Sequence, residues 1–491
     1  MTSVSATSSS KTGTLSSAGV GSGLDVQSIV TALVNAESIP LNSLKTAETT
    51  LQTKLSTFGT VQSYLSAFRD AAAALSHGST FAQTVGSSSS PGVVDITTGA
   101  NTPEGNYTVE VQQLAASQTL ATGAYASSDA LVGQGSLSIQ LGTIGSDGTS
   151  FTAGSSSAVN ISVSATDTLA NVRDKINSSG AGVTASILND GSGSRLVLKS
   201  TNTGAANAFT VTATDSDGNN TDASGLSRIS YDPSLPSSQM TKPVSAADAK
   251  ATINGLPVSS SINSLTEVLD GITLKLGAVT TGAVTLTAKS DTDSIKKAMT
   301  TFVDAYNKLN SYLADQTKYD ASTKVAGVLQ GDSTANSIRS QMRSIMSSST
   351  GASATFSRLS DIGFDIAKDG TLSINDSKLT SSLGNLAEVK KLFTNTDLST
   401  TGNDGIASQL RSLTDGMLNS TGMLTTHTQG IQSSITRNED RQAQMQTRID
   451  QYEARVRAQY TALDSTMSTL NNLSSYLTQQ LTAMSNSNKS S

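Results

Sequence analysis

The chain has 491 residues, 36% of them hydrophobic and 4% aromatic, with a formal net charge of -6, two histidines and no cysteine or tryptophan. That length accommodates several domains, and the missing cysteine excludes disulfides, thiolate nucleophiles and zinc–cysteine sites. Scattered basic residues exclude the concentrated cationic face that nucleic acid requires, and no run approaches the roughly 18 apolar residues of a membrane span, so neither partner is expected.

The first twenty residues, MTSVSATSSSKTGTLSSAGV, lack the apolar core of a secretory signal, which fits a cytosolic protein or one exported by a dedicated route. Ser22-Gly23-Leu24-Asp25 resembles a capping box opening a short helix with Val26, Ile29, Val30, Leu33 and Val34 on its apolar face, interrupted at Pro40. Leu44, Leu51, Leu55, Phe58, Val61, Leu65, Phe68, Ala72 and Leu75 then recur at three- and four-residue steps. That spacing predicts one stripe of a helix roughly 50 Å long.

Between about 79 and 290 the period becomes two. Tyr107, Val109 and Val111 alternate with polar residues, as do Leu137, Ile139 and Leu141, then Val159, Ile161 and Val163. Val183 to Leu188 and Arg195 to Lys199 flank Asn189-Asp190-Gly191-Ser192-Gly193, a predicted hairpin; Asn254-Gly255 is a second turn signal. Asp167 or Thr168 caps a short helix carrying Leu169, Val172 and Ile176, and Val284 to Ala288 is the last alternating strand.

Helical spacing returns near Asp291 with Ile295, Met299, Phe302, Tyr306, Leu309 and Leu313, and Leu359 to Ile374 reads as a small hairpin around Asp369-Gly370. The chain closes on its strongest signal: Ile449, Tyr452, Val456, Tyr460, Leu463, Met467, Leu470, Leu473, Leu477, Leu481 and Met484 form one apolar seam. With Ile431 and Ile435 upstream, the helix extends over roughly 80 Å.

The expected fold class is α+β multidomain, with two nested antiparallel β-rich head domains inserted between N- and C-terminal helices that form a coiled-coil or helical-bundle stalk. The period changes mark a leader and short helix over 1–40, the N-terminal stalk over 41–78 and an inner β domain over 79–114 and 244–290. An outer β-rich tip spans 115–243, the C-terminal stalk 291–430 and a coiled-coil leg 431–491. Most long apolar stripes are intramolecular core, and Leu44 to Leu75 is divided evenly between that reading and an interface. For the last thirty residues an intermolecular role is expected, because the N-terminal stripe is too short to cover them.

Catalytic patterns fail on spacing. His77 and His427 lack a neighbouring ligand and read as exposed or structural; Gly19, Gly21 and Gly23 have Leu24 where a phosphate loop needs its third glycine and read as a flexible joint. Asp215, Asp217 and Asn219 mimic the start of a calcium loop, but Asn220 and Leu226 occupy its glycine and glutamate positions, leaving an acidic loop. Glu439, Asp440, Asp450 and Glu453 interleave with Arg437, Arg441, Arg448, Arg455 and Arg457 as the solvated flank of a coiled coil. No catalytic residue, metal site or cofactor is expected.

Val20 to Val34 (VGSGLDVQSIVTALV) resembles the N-terminal signature of the bacterial flagellar filament capping proteins, the hook-associated protein 2 or FliD family. Thr168 to Phe209, with Lys175-Ile-Asn and Arg195-Leu-Val-Leu-Lys-Ser, resembles that family's flagellin-type insert repeat. Gly271-Ile-Thr-Leu-Lys-Leu, Phe302-Val-Asp-Ala-Tyr-Asn, Gly331-Asp-Ser-Thr, Asp369-Gly-Thr-Leu-Ser-Ile and the run Leu463 to Leu481 are similar as well, in the family's order. The resemblance implies a structural, non-enzymatic protein that leaves the cell through the flagellar export channel and sits at the distal filament tip. It implies a homo-oligomeric ring, pentameric or hexameric, that guides exported flagellin into place. The implied partners are flagellin, the hook–filament junction protein and a cytoplasmic export chaperone that meets the C-terminal helix. The alternatives are another axial protein (junction protein or flagellin), a cap that also acts as an adhesin, and an enzyme grafted into the insert.

Overall fold

The computed structural model describes residues 25–236, 238–397 and 399–487; the expected cap at Ser22 and the glycine joint at 19–23 lie outside them. By its contacts the chain forms two compact units, one of residues 1–76 with 298–491 and the other of 77–297.

The first unit opens with α1 (Val26–Glu37), whose N-cap is Asp25: its carboxylate accepts the Ser28 N–H at 3.0 Å. The cap therefore falls at the last residue of the predicted box rather than at its first. Pro40 stands in the first turn of α2 (Ile39–Ser76), where its missing N–H costs nothing, and the break between the helices is at Ser38. The 38 residues of α2 extend about 57 Å.

The second unit is built from antiparallel strands. Its elements are β1 (Thr84–Ser88), β2 (Val94–Thr98), β3 (Gly105–Gln113), β4 (Thr119–Ala121), β5 (Gly135–Ile144), β6 (Phe151–Ala153), β7 (Val159–Val163) and α3 (Leu169–Ser178). There follow β8 (Val183–Asn189), β9 (Ser194–Ser200), β10 (Ala208–Asp215), β11 (Thr241–Val244), β12 (Ala249–Ile253), β13 (Leu256–Ser260), β14 (Ser264–Leu269), β15 (Ile272–Leu276) and β16 (Val284–Ser290). A five-stranded sheet, β1-β16-β3-β12-β13, and a three-stranded sheet, β14-β15-β2, share a core of Val94, Val109, Val111, Ile253, Leu274 and Leu286. A second core, with Leu137, Ile139, Leu196, Leu198 and Phe209, joins the sheet β10-β5-β6 (β7 also pairing with β5) to the sheet β11-β4-β9-β8 and to α3.

The period-two segments fall on these strands, and the turn chemistry acts where it was expected. β8 and β9 join through Asp190–Gly193, and Asn254-Gly255 closes β12–β13 with φ of 50° and 80°. Thr168 caps α3 in a capping box with Asn171, while Asp167 holds the Lys175 ammonium, whose hydrogen bond lowers the carboxyl below its usual pKa. Gly135 adopts φ 154° at the start of β5, where a Cβ would stand 2.1 Å from the Thr214 carbonyl oxygen, so only glycine lets β10 pair at this point. The buried Asp215 carboxylate accepts the N–H groups of Leu226 and Ser227 at 2.6 and 3.1 Å and locks the following turn. No cluster of three potential metal ligands occurs among the described residues.

The chain re-enters the first unit through α4 (Thr292–Thr317), then α5 (Ser333–Ser347), α6 (Asp376–Leu383), α7 (Leu386–Thr394), α8 (Ile406–Leu418) and α9 (Met423–Ser487). The predicted hairpin is confined to Phe364–Ile366 and Leu372–Ile374; Leu359–Ile362 is a turn of 3-10 helix. The helices α5 to α8 carry no long periodic run and were not individually legible. Their buried faces are nevertheless apolar: Ile338 and Met342 on α5, Leu392 and Phe393 on α7, Leu410 and Met417 on α8. Phe58, Val61, Leu65, Phe68 and Leu75 of α2 are fully buried, with Phe68 5.3 Å from Phe302 and 5.8 Å from Tyr306 between ring centroids.

Candidate interaction surface

The 65 residues of α9 run about 98 Å, longer than the apolar seam alone predicts. Its first part is core. Leu424, Ile431, Ile435, Ile449 and Val456 are buried, and His427 packs edge-on against Phe58 at 4.7 Å while its Nε2 lies 3.1 Å from the Asp332 carboxylate. That carboxylate also caps α5 through the Thr334 and Ala335 N–H groups, so His427 is a structural residue.

Polar contacts fix how α9 lies on its neighbours. The Gln442 side-chain amide donates to Glu48 of α2 at 2.5 Å and to Asn438 at 2.8 Å, a polar layer of the sort that sets register between apolar stripes. On α1, Val26 and Val30 pack with Val456, flanked by Leu33, Val34, Tyr452 and Tyr460. Arg448 pairs with Glu37 at 2.5 Å, and Arg457 donates to Gln27 at 3.0 Å and pairs with Glu453 at 2.9 Å.

The predicted seam therefore divides. Ile449 and Val456 are buried and Tyr452 and Tyr460 half-buried against α1. Met467 is half-buried; Leu463, Leu470, Leu473, Leu477, Leu481 and Met484 are exposed, Leu481 to 66%. The α2 stripe divides as well: Phe58, Val61, Leu65, Phe68 and Leu75 are buried, whereas Leu44, Leu51 and Leu55 are half-buried. No helix among the described residues is long and apolar enough to cross a membrane.

An exposed leucine is ordinary; a run of them at helical spacing is not. Leu470, Leu473, Leu477 and Leu481 follow steps of three and four, so they share one face of α9 within about 80°. Burying each is worth about 1.5–3 kcal/mol, and an isolated helix of this length frays without such cover. The charges beside this face are few, with Asp464 the only ionisable acid or base between Arg457 and Lys489 apart from the tyrosines. The surface is suited to contact with another apolar helix and offers no nucleophile, acid–base pair or metal ligand set.

The chain matches the family models described as flagellar hook-associated protein 2 N-terminus over residues 22–118 and C-terminus over 246–472, and the flagellin hook IN motif over 136–202. It is 35% identical over 492 residues to the flagellar hook-associated protein 2 of Escherichia coli (strain K12), covering 96% of this chain and 99% of that protein. Against the B-type flagellar hook-associated protein 2 of Pseudomonas aeruginosa the identity is 29% over 487 residues, covering 95% and 98%. Among solved structures it is similar to the flagellar cap protein FliD D1-D2-D3 domains from Escherichia coli, at 33% identity and TM-score 0.57, over 77% of this chain and 99% of that one.

Proposed function

Since this chain belongs to the flagellar hook-associated protein 2 family, whose members are structural proteins rather than enzymes, we propose that it caps the distal end of the bacterial flagellar filament. It reaches that place through the flagellar export apparatus and assembles there as a closed ring, pentameric or hexameric. The ring guides exported flagellin subunits into position and prevents their loss. It follows the hook–filament junction protein in assembly, and an export chaperone covers the C-terminal helix before secretion.

The observation that carries this reading is the uncovered apolar face of α9 from Leu463 to Leu481. Such a surface persists in water only if partners take it in turn: chaperone, neighbouring subunit, then filament wall. The seam residues Tyr452, Val456 and Tyr460 anchor the base of the leg on α1 next to the buried Ile449, and Leu463, Met467, Leu470, Leu473, Leu477, Leu481 and Met484 present it. The α2 residues Leu44, Leu51, Leu55 and Phe58 make the wall against which α9 is held, and Val61, Leu65, Phe68 and Leu75 continue the stripe into the core of the first unit.

Electron microscopy of the purified protein, paired with its mass in solution, tests the assembly. A small closed ring, single or paired, is the expected result, since identical heterologous contacts either close or propagate. A persistent monomer at high concentration, or open filaments of indefinite length, contradicts it.

A further inference from the structure

The middle of α9 carries a second feature, N-terminal to the distal leucines. Arg437, Arg441, Arg448 and Arg455 are spaced by four, seven and seven residues, which puts all four within about 40° of one another around the helix. Glu439, Asp450 and Glu453 lie roughly 140–180° away, with Arg457 among them, and Asp440 lies about 60–100° from the four arginines, so the arginines form a row whose opposite side is mainly acidic. All four arginines are exposed. Only Arg448 has an acidic partner among the described residues, Glu37; Arg437 donates to the Ser434 hydroxyl, and Arg455 lies 5.5 Å over the Tyr452 ring.

This row borders an apolar groove of about 790 Å³ between the start of α2 and α9. Ile39, Pro40, Ser43 and Leu44 line it from α2, and Arg441, Gln444, Met445 and Arg448 from α9. Ile39 is 64% exposed. A hydrophobic trough with cations along one edge is complementary to a helix whose apolar stripe is bordered by carboxylates. A polyanion such as nucleic acid fits poorly, because the trough is apolar and the far side of α9 is mainly acidic.

We propose that this groove docks an acidic amphipathic helix of a different protein. A second copy of this chain is the poorer occupant: its uncovered helical apolar face, Leu463 to Leu481, carries Asp464 as its single charge and cannot match a row of arginines. The inference goes beyond filament capping and stands on this surface alone, so it survives even if the capping role fails.

The test uses the full chain and a fluorescent synthetic helix of three Glu-Leu-Ala-Glu-Leu-Leu-Glu heptads, with two comparison peptides: lysine replacing every glutamate, and the same composition scrambled. The acidic amphipathic peptide binds; the lysine and scrambled peptides do not. The triple variant Arg437→Ala, Arg441→Ala, Arg455→Ala, which spares the Arg448–Glu37 pair, weakens binding by about tenfold or more. Removing the same charge elsewhere, with Lys289→Ala, Lys308→Ala and Lys368→Ala, changes it less than about twofold. Ile39→Ser, at an exposed position, weakens binding several-fold without unfolding the chain. Equal loss in the two triple variants, equal binding of the scrambled peptide, or no binding of the acidic peptide overturns the proposal. So does selective capture of phosphatidylglycerol vesicles by the arginine flank in place of the peptide.

Discussion

Leu470→Asp abolishes filament growth and swimming while leaving the thermal unfolding of the protein unchanged. Leu470 is 53% exposed on α9, so the substitution removes little intramolecular packing. Surface changes of this kind stay within about 0.5 kcal/mol. In a partner interface the same carboxylate is buried unpaired, at a cost of about 3–5 kcal/mol, equivalent to a loss of two to three orders of magnitude in affinity. Ser475→Asp introduces the same charge about 140° round the helix and leaves swimming intact. The pair is read by complementing a deletion strain, with swim-plate diameter and filament length as the measurements. Normal swimming with Leu470→Asp refutes the role assigned to the distal seam.

The second large effect is on stability. Phe68→Ala destabilises the first unit by about 3–5 kcal/mol, the range for truncating a buried aromatic residue. Phe68 is 0% exposed and starts a chain of ring contacts: Phe68 to Phe302 at 5.3 Å, Phe302 to Phe364 at 6.5 Å, Phe364 to Phe393 at 6.1 Å. These rings come from α2, α4, the small hairpin and α7, so truncating Phe68 opens a cavity against α4 at the start of a stack that links four segments far apart in sequence. With only 4% aromatic residues in the whole chain, nothing nearby of similar volume refills it. Against a total stability of about 5–15 kcal/mol, the loss lowers the melting temperature by on the order of 10 °C. Differential scanning calorimetry and hydrogen exchange at α2 amides measure it; an unchanged melting temperature contradicts the packing described.

What the sequence disclosed depended on how far each segment's periodicity extended. The runs in α2, α4 and α9 are long enough for a 3.6-residue stripe to stand out from its background, and strands such as β5 and β7 alternate cleanly because one face meets a core and the other meets solvent. The helices α5 to α8 were hidden: each shows only about two to four turns, and serine, threonine and charged residues fill their outer faces. The N-cap of α1 is Asp25, the closing residue of the Ser22–Asp25 pattern, and backbone geometry rather than composition identifies it.

The interaction surface was legible in part. Spacing located the seam from Ile449 to Met484, but spacing alone assigns no partner to each position. The division near Tyr460 follows from where α1 ends its contact with α9, a tertiary fact. The arginine flank is the converse case. Arg437, Arg441, Arg448 and Arg455 read as ordinary solvated charge until the neighbouring trough at Ile39, Leu44 and Met445 is in view. The four-seven-seven spacing was a signal available beforehand, and a helical projection of residues 437–457 exposes it.

The central claim is that this protein occupies the distal end of the filament. Gold-labelled antibody against the second unit, applied to intact cells and viewed by electron microscopy, tests that directly. The account predicts label confined to filament tips, together with flagellin released into the medium when the gene is deleted. Label distributed along the filament, or confined to the hook–filament boundary, contradicts it.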